Sequence, residues 1–295
     1  VDVVVTQNLR KSYGAFPVLH GIDLRVPAGA LYGFLGPNGA GKSTTIRILL
    51  GLLRRDAGTA CVLGEDVWRT GPRLRARVGY LPGDIRWYDS LTGRTTLDFL
   101  QSVRGRDYGD EIRRLTDVFE LDLTRKVRTY SRGMKQKLGI IQALMHQPEL
   151  LILDEPTTGL DPLMQAALHD ELRRVAAQGR TVLFSSHTLS EVARLCDWVG
   201  ILRSGRLIEQ TPMAVLSERA VQRVEITFDG ATPDALHPPA HLHVENRNGH
   251  RLTGSWSGPT GELIAWLHSQ PIVDLVVAPP ALEDLFRAYY AEDAA

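Results

Sequence analysis

The sequence predicts an α/β fold built on a mainly parallel sheet, followed by a smaller α+β region. Three observations carry this. An apolar run at 31–35 leads into Gly36-Pro37-Asn38-Gly39-Ala40-Gly41-Lys42-Ser43-Thr44, which fits G-x-x-x-x-G-K-[ST], and a helical pattern (Ile46, Ile48, Leu49, Leu50) follows. The wholly apolar segment 150–153 reads as a strand buried on both faces, as a parallel sheet requires. After about residue 215 the rhythm changes to short alternating strands.

In order, residues 3–9 alternate and read as a strand, and 22–26 as a second, ended by Pro27-Ala28-Gly29. The strand at 31–35, the glycine-rich loop and its helix come next, with Gly51 closing the helix. Residues 59–63 and 76–81 read as further short strands. From about 92 to 147 the pattern is helical, with Leu97, Leu100 and Val103 on one stripe and Leu115, Val118 and Phe119 on another. Such an all-helical insert is expected to stand apart from the sheet. Strands at 150–153, 181–184 and 198–202 complete an alternating order that implies parallel pairing. Beyond 215, residues 223–228, 241–245 and 251–256 read as antiparallel strands. Residues 262–268 read as a helix, 272–277 as a strand, and 282–290 as a last helix after Pro279-Pro280. The expected domains are residues 1–215, with a helical subdomain at about 85–150, and an accessory α+β domain at 216–295.

With 295 residues, 43% of them hydrophobic, the chain has ample material for a core and for about two domains. A formal net charge of zero argues against a nucleic-acid footprint. All five lysines lie at or before position 137, and residues 216–295 carry eleven acids against five arginines. Cys61 and Cys196 have neither metal spacing nor a disulfide framework, which suits a reducing compartment. No apolar run reaches the roughly 18 residues that span a bilayer. The first residues, Val1-Asp2-Val3-Val4-Val5, do not read as a signal peptide. Work at a membrane would then run through a partner.

Glycines 36, 39 and 41 let the backbone curl so that successive N–H groups face phosphate oxygens, and the helix N-terminus adds partial positive charge. Lys42 would reach the β- and γ-phosphates, and Ser43 would offer its hydroxyl to Mg²⁺. At 151–156, Leu-Ile-Leu-Asp-Glu-Pro ends an apolar strand in two carboxylates. Asp154 would hold Mg²⁺ through its water shell, and Glu155 would polarise a water for attack on the γ-phosphate. A third segment, Tyr130-Ser131-Arg132-Gly133-Met134-Lys135-Gln136, opens a helix. Ser131 is either an ordinary N-cap or, with Gly133, a second phosphate contact.

In this order, with Gly159-Leu160-Asp161 and then His187, the chain resembles the ATP-binding subunits of ABC transporters over about residues 3–215. The resemblance implies a P-loop NTPase, an ABC-type ATPase core with an antiparallel β subdomain and a helical subdomain. It implies ATP hydrolysis coupled to transport by a separate membrane-spanning permease, at the cytoplasmic face of the cell membrane. It also implies a head-to-tail dimer with two ATP molecules between the subunits. Each ATP would touch residues 36–44 of one subunit and Ser131, Arg132 and Gly133 of the other. Tyr13 matches the aromatic that stacks on adenine, though a strand aromatic explains it equally. His187 matches the residue that contacts the γ-phosphate and orients the water. Asp161 matches the loop crossing the dimer interface, and otherwise reads as a helix cap before Pro162.

Two positions depart from the family pattern. Gly83-Asp84 follows Tyr80-Leu81-Pro82 where a glutamine is usual, so either Asp84 substitutes or Mg²⁺ relies on Ser43, Asp154 and water. Arg132 stands where a glycine is usual, either adding charge near the nucleotide or facing solvent. Both departures, with Leu91-Thr92-Gly93-Arg94, resemble the branch that serves drug and antibiotic exporters, which tends to carry a C-terminal appendix. The appendix is expected to stabilise the dimer or regulate it. The aromatics of Ile85-Arg86-Trp87-Tyr88-Asp89 read either as an interface hot spot for the membrane subunit or as a lid over the helical insert. His241 and His243 lack a third metal ligand at fitting spacing. The alternative function is a soluble ABC-type ATPase acting on ribosomes or DNA, against which stand the single phosphate loop and the lack of a basic run or sustained heptads.

Overall fold

A computed structural model describes residues 1–219, 222–230 and 236–278; the helix read at 282–290 lies outside them. The chain divides into two compact units, Val1–Pro212 and Met213–Ala295.

The first unit opens with β1 (Asp2–Tyr13), β2 (Phe16–Ile22) and β3 (Arg25–Pro27). The single strand expected at 22–26 is therefore two. The chain breaks at Asp23-Leu24, where the Asp23 carboxylate accepts the Asn8 amide at 2.6 Å and the Leu24 carbonyl accepts the Thr6 amide at 2.8 Å. Both strands pair antiparallel with β1. Next come β4 (Leu31–Leu35), α1 (Lys42–Leu49), β5 (Ala57–Val62), β6 (Glu65–Asp66), α2 (Gly71–Ala76) and β7 (Val78–Leu81). The helical insert holds α3 (Gly93–Arg104), α4 (Gly109–Val118), a 3₁₀ turn at Val127–Thr129 and α5 (Arg132–Leu144). The unit closes with β8 (Leu150–Asp154), α6 (Pro162–Ala177), β9 (Thr181–Ser186), α7 (Leu189–Leu195), β10 (Trp198–Arg203) and β11 (Arg206–Pro212).

The strands form two sheets. A five-stranded antiparallel sheet joins β1, β2, β3, β5 and β6, and a six-stranded sheet runs in the order β11-β10-β4-β9-β8-β7. The latter is parallel except for the β10–β11 hairpin at its edge. Helix α1 is held between them: Ile46, Ile48 and Leu49 share one buried cluster with Val4, Val26 and Val62 of the first sheet and Phe34 and Ile152 of the second. On the opposite face of β4, a side chain at Gly33 would run into Val192 of α7. With layers on both faces, β4 and β8 are buried along their whole length, which is why both read as unbroken apolar runs.

The insert does not stand wholly apart from the sheet. Its last helix, α5, returns so closely onto β7 that a Cβ at Gly79 would clash with the Ala143 carbonyl oxygen. An ionic cluster centred on the buried Glu171 ties α4 to α6. Glu171 accepts hydrogen bonds from Arg114 at 2.6 Å and Arg174 at 2.7 Å, and Glu111 accepts from the same two arginines. Burial pushes the Glu171 carboxyl up, but the hydrogen bonds from Arg174 and Arg114 outweigh it and hold the group below its ordinary value.

The second unit contains α8 (Met213–Arg219), β12 (Gln222–Phe228), β13 (Leu242–Asn248), β14 (Arg251–Trp256), α9 (Thr260–His268) and β15 (Ile272–Ala278). Its antiparallel sheet has the order β13-β14-β12-β15. Alternate residues Val224, Ile226, Leu252 and Trp256 meet Leu263 and Leu267 of α9 in a separate core. His241 lies edge-on to Trp256, with ring centroids 5.9 Å apart.

The folded carboxyl of Glu171 titrates lower than the unfolded one. Its contribution is thus complete above the unfolded value of about 4.3 and lost as pH falls through the lower folded value. Glu171→Gln is expected to cost about 1–2 kcal/mol at neutral pH by leaving the half-buried Arg114 and Arg174 guanidiniums undercompensated, and to flatten the acid limb of stability against pH. Urea unfolding across that range checks this; an acid limb as steep as in the wild type would contradict it.

Candidate functional site

Parallel pairing puts the ends of β4, β9 and β8 side by side. Leu35 pairs with Ser186, and Ser185 with Asp154, so β9 separates the glycine-rich loop from the acidic strand end by one strand. Local sequence then shapes the loop. A Cβ at Gly36 would strike the Leu202 carbonyl oxygen, and Gly41, the N-cap of α1, has φ +106° with Leu19 only 2.6 Å from where a Cβ would stand. Only glycine meets both demands.

Lys42 is 5% exposed. Its ammonium donates to the Gly36 carbonyl at 2.6 Å and the Pro37 carbonyl at 3.2 Å, and lies 3.5 Å from Glu155 Oε1. Burial pushes its pKa down, opposed by the charges of Glu155 and Asp154. Ser43 is exposed and Thr44 half-buried beside it, while Pro37, Asn38 and Gly39 are exposed and Ala40 is buried.

Asp154 is buried, and its Oδ1 accepts the Ser185 hydroxyl at 2.6 Å. Glu155 has φ +50°, a conformation that costs a non-glycine residue about 1 kcal/mol or more. Ser185 holds it there: the Glu155 amide donates to the Ser185 hydroxyl at 3.1 Å and to the Ser185 carbonyl at 3.2 Å. His187 Nδ1 lies 3.3 Å from Glu155 Oε1, the same oxygen that faces Lys42. Lys42, Glu155 and His187 are thus one constellation, with Asp154 joined to it through Ser185.

The other sequence-read residues form a second group. Ser131 caps α5, its hydroxyl accepting the Met134 amide at 3.2 Å, and Asp161 caps α6, accepting the Met164 amide at 3.0 Å. They belong to adjoining segments, since a Cβ at Gly133 would stand 2.7 Å from the Gly159 carbonyl oxygen and the Arg132 stem lies against Gly159. Among the described residues no hydrogen bond or ion pair joins Ser131, Arg132, Gly133 or Asp161 to residues 36–44. Tyr13 is half-exposed at the end of β1, paired with the exposed Phe16 across the hairpin, with the Lys11 ammonium 5.9 Å from its ring centroid. Strand β2 passes against the loop at Gly41 through Leu19 and the Val18 carbonyl, so this hairpin borders the site.

The departures from the family pattern also have a place. A Cβ at Gly83 would stand 3.5 Å from Asp154 Oδ2, whereas the Asp84 carboxylate is in solvent, 3.2 Å from the Arg86 guanidinium. Trp87 donates its indole N–H to the Lys135 carbonyl at 3.2 Å and lies over Gly139, as a lid on α5, while Tyr88 is exposed. Sequence reasoning missed Ser185, and it missed Gln136, whose amide donates to the Pro156 carbonyl at 2.9 Å and ties α5 to the acidic turn. The adjacency of Ser185-Ser186 to His187 was the available signal for the first.

A strand, glycine-rich loop and helix of this geometry, beside an acidic strand end, define a phosphate-loop nucleotide-binding protein. The sequence model of the family described as ABC transporter matches residues 19–158. The linearmycin resistance ATP-binding protein LnrL of Bacillus subtilis (strain 168) is 38% identical over 207 residues, 68% of this chain and 67% of that protein. The bacitracin transport ATP-binding protein BcrA of Bacillus licheniformis is 34% identical over 252 residues, covering 84% and 82%. The Nod factor export ATP-binding protein I of Cupriavidus metallidurans is 35% identical over 297 residues, covering 96% of each. A solved structure of the ATP binding subunit of an ABC transporter superposes with a TM-score of 0.69 at 31% identity, over 74% of this chain and 92% of that one. The chain belongs to the ABC transporter family, as an ATP-binding subunit of the kind that hydrolyses ATP to drive transport, dimerises and pairs with membrane permease components. Nothing among these relatives favours an ATPase acting on ribosomes or DNA.

Ser185 is a positioning residue for both carboxylates. Ser185→Ala is expected to lower the turnover number about tenfold while leaving nucleotide affinity unchanged, because no contact to residues 36–44 is lost. Steady-state turnover and equilibrium nucleotide titration separate the two quantities; a parallel loss of affinity would contradict the assignment.

Proposed function

We propose that this chain is the ATPase subunit of an exporter of drugs, antibiotics or other small hydrophobic compounds, working on the cytoplasmic face of the membrane beneath a separate permease. Relatives named for linearmycin resistance, bacitracin transport and Nod factor export support the exporter reading. Residues 1–215 act as the ATP-binding domain and 216–295 as an accessory domain that stabilises the dimer.

The observation that carries the residue roles is the convergence of Lys42 and His187 on one carboxylate oxygen of Glu155. The phosphates of ATP lie in the loop 36–44, on backbone N–H groups and the N-terminus of α1, with Lys42 at the β- and γ-phosphates. Glu155 accepts a proton from the attacking water as the bond between the γ-phosphorus and the bridging oxygen breaks, releasing ADP and phosphate. His187, held beside Glu155, orients the water and the γ-phosphate. Tyr13 stacks on adenine.

Mg²⁺ fits the donor set. Asp154 is a buried carboxylate with one oxygen fixed by Ser185 and the other toward the open side at Gly83, and Ser43 is an exposed hydroxyl on the loop, all hard oxygen donors. Ser43 and Asp154, with water, would hold the ion, which supplies charge neutralisation to the phosphates. Arg86 engages Asp84, which favours this set over Asp84. The second copy, head to tail, contributes Ser131, Arg132, Gly133 and Asp161 to the same ATP. That no hydrogen bond or ion pair among the described residues joins them to residues 36–44 supports sharing between chains.

Glu155→Gln is expected to bind ATP normally, to slow hydrolysis by about 10²–10⁴-fold, and to accumulate an ATP-dependent dimer. Phosphate release and light scattering read both; turnover at the wild-type rate would remove Glu155 from the mechanism. Deleting residues 216–295 is expected to weaken self-association measured by sedimentation, and unchanged association would contradict the role given to the accessory domain.

A further inference from the structure

His187 is the first residue beyond the end of β9, and its imidazole is 53% exposed. Packing therefore does not set where Nδ1 points, and the backbone at 186–188 must. Ser186, buried as the last residue of the strand, is held from two sides. Its carbonyl accepts the Gly36 amide at 3.2 Å, at the start of the glycine-rich loop, and its hydroxyl donates to Glu191 Oε2 at 2.7 Å. The same hydroxyl oxygen accepts the Thr188 amide at 2.9 Å, which closes a tight turn with His187 at its tip.

A serine hydroxyl has one hydrogen to give. The Thr188 carbonyl, 3.3 Å away, competes with Glu191 for it, and the nearer carboxylate is the stronger acceptor. With the hydrogen on Glu191, a lone pair is left to face the Thr188 amide. Without Glu191 the hydrogen swings to the Thr188 carbonyl, and the closure of the turn is weakened.

Glu191 lies in the first turn of α7, three residues after the N-cap Thr188, which is the spacing of a capping box. In such a box the carboxylate would take the Thr188 amide directly. Here that amide goes to Ser186, the Thr188 hydroxyl makes no cap hydrogen bond among the described residues, and the carboxylate reaches on to Ser186. Capping of α7 does not call for a detour through β9. The detour ties the start of α7 to the strand residue that carries His187.

We propose that Glu191 is a positioning residue for His187. Through the Ser186 hydroxyl it holds the 186–188 turn so that the imidazole faces Glu155 Oε1 at 3.3 Å, a role that depends on the one given to His187 in hydrolysis.

The test uses the full chain with isotope-labelled histidine. The His187 imidazole resonance is the one that disappears in His187→Ala. Glu191→Ala is expected to shift or broaden that resonance, and to lower turnover about tenfold at unchanged nucleotide affinity. Glu191→Gln keeps an oxygen that can accept the Ser186 hydroxyl, and is expected to stay near the wild type in both readouts. A charge that served only the start of α7 would be lost equally in the two variants. Should Glu191→Ala fail to fold, Ser186→Ala removes the same hydrogen bond with the carboxylate kept, and the same changes are expected. A His187 resonance unmoved by loss of the hydrogen bond, wild-type turnover in Glu191→Ala, or equal losses in the Ala and Gln variants would overturn the proposal. Wild-type turnover in His187→Ala would remove the role given to His187 and the proposal with it. The resonance is read without turnover, so the two failures are told apart.

Discussion

A buried ammonium needs a counter-charge, and in this chain the need is met across the sheet. Lys42 leaves the loop after β4, and the carboxylate that faces it leaves the end of β8, with β9 between. That contact is available only because β4, β9 and β8 run parallel, so that all three end on one edge. Burial of β4 and β8 on both faces fixes their register, and the helices that cover them, α1 on one side and α7 on the other, leave the strand ends as the open part of the sheet. Ser185 completes the arrangement from the middle strand. One hydroxyl accepts the Glu155 amide and donates to the Asp154 carboxylate, so the strained backbone of Glu155 and the orientation of Asp154 have a common support.

The same acidic turn is mechanically joined to the helical insert. Gln136 reaches from the first turns of α5 to the Pro156 carbonyl, and Gly133 lies against Gly159 just beyond that turn. A shift of α5 therefore moves the backbone that carries Glu155, and a change at Glu155 is felt where Ser131 and Arg132 are presented. The Glu111–Arg114–Glu171–Arg174 cluster holds the opposite side of the insert to α6. The insert is thus fastened close to the chemistry through Gln136 and Gly133, and away from it through α5 on β7 and through the ionic cluster on α6.

How much of this was legible in the sequence follows from burial. Strands β4 and β8 were readable because both faces are covered, so that residues 31–35 and 150–153 form unbroken runs without a charge. The loop 36–44 was readable because its glycines and lysine keep a fixed spacing between an apolar strand and a helix, although the steric demands met at Gly36 and Gly41 come from Leu202 and Leu19. Strands β2 and β3 were merged because the break at Asp23-Leu24 is made by long-range partners, Asn8 and Thr6, that no local pattern announces. The edge strand β11 was missed because its residues are only half-buried and show no alternation. Ser185 was passed over because a serine in a buried strand declares no role until its neighbour on β8 is known. The N-caps at Ser131 and Asp161 were legible as caps; the use toward a nucleotide proposed for them would be a property of two chains.

The central claim is that each ATP site is divided between two copies, with Lys42 and Glu155 from one and Ser131 and Arg132 from the other. The most direct measurement mixes two inactive chains, one carrying Lys42→Ala and the other Ser131→Arg, and assays ATP turnover. In a mixed dimer one site collects both defects and the other is intact, so turnover is predicted to reappear on mixing. No recovery, in a mixture shown to form mixed dimers, would contradict a shared site.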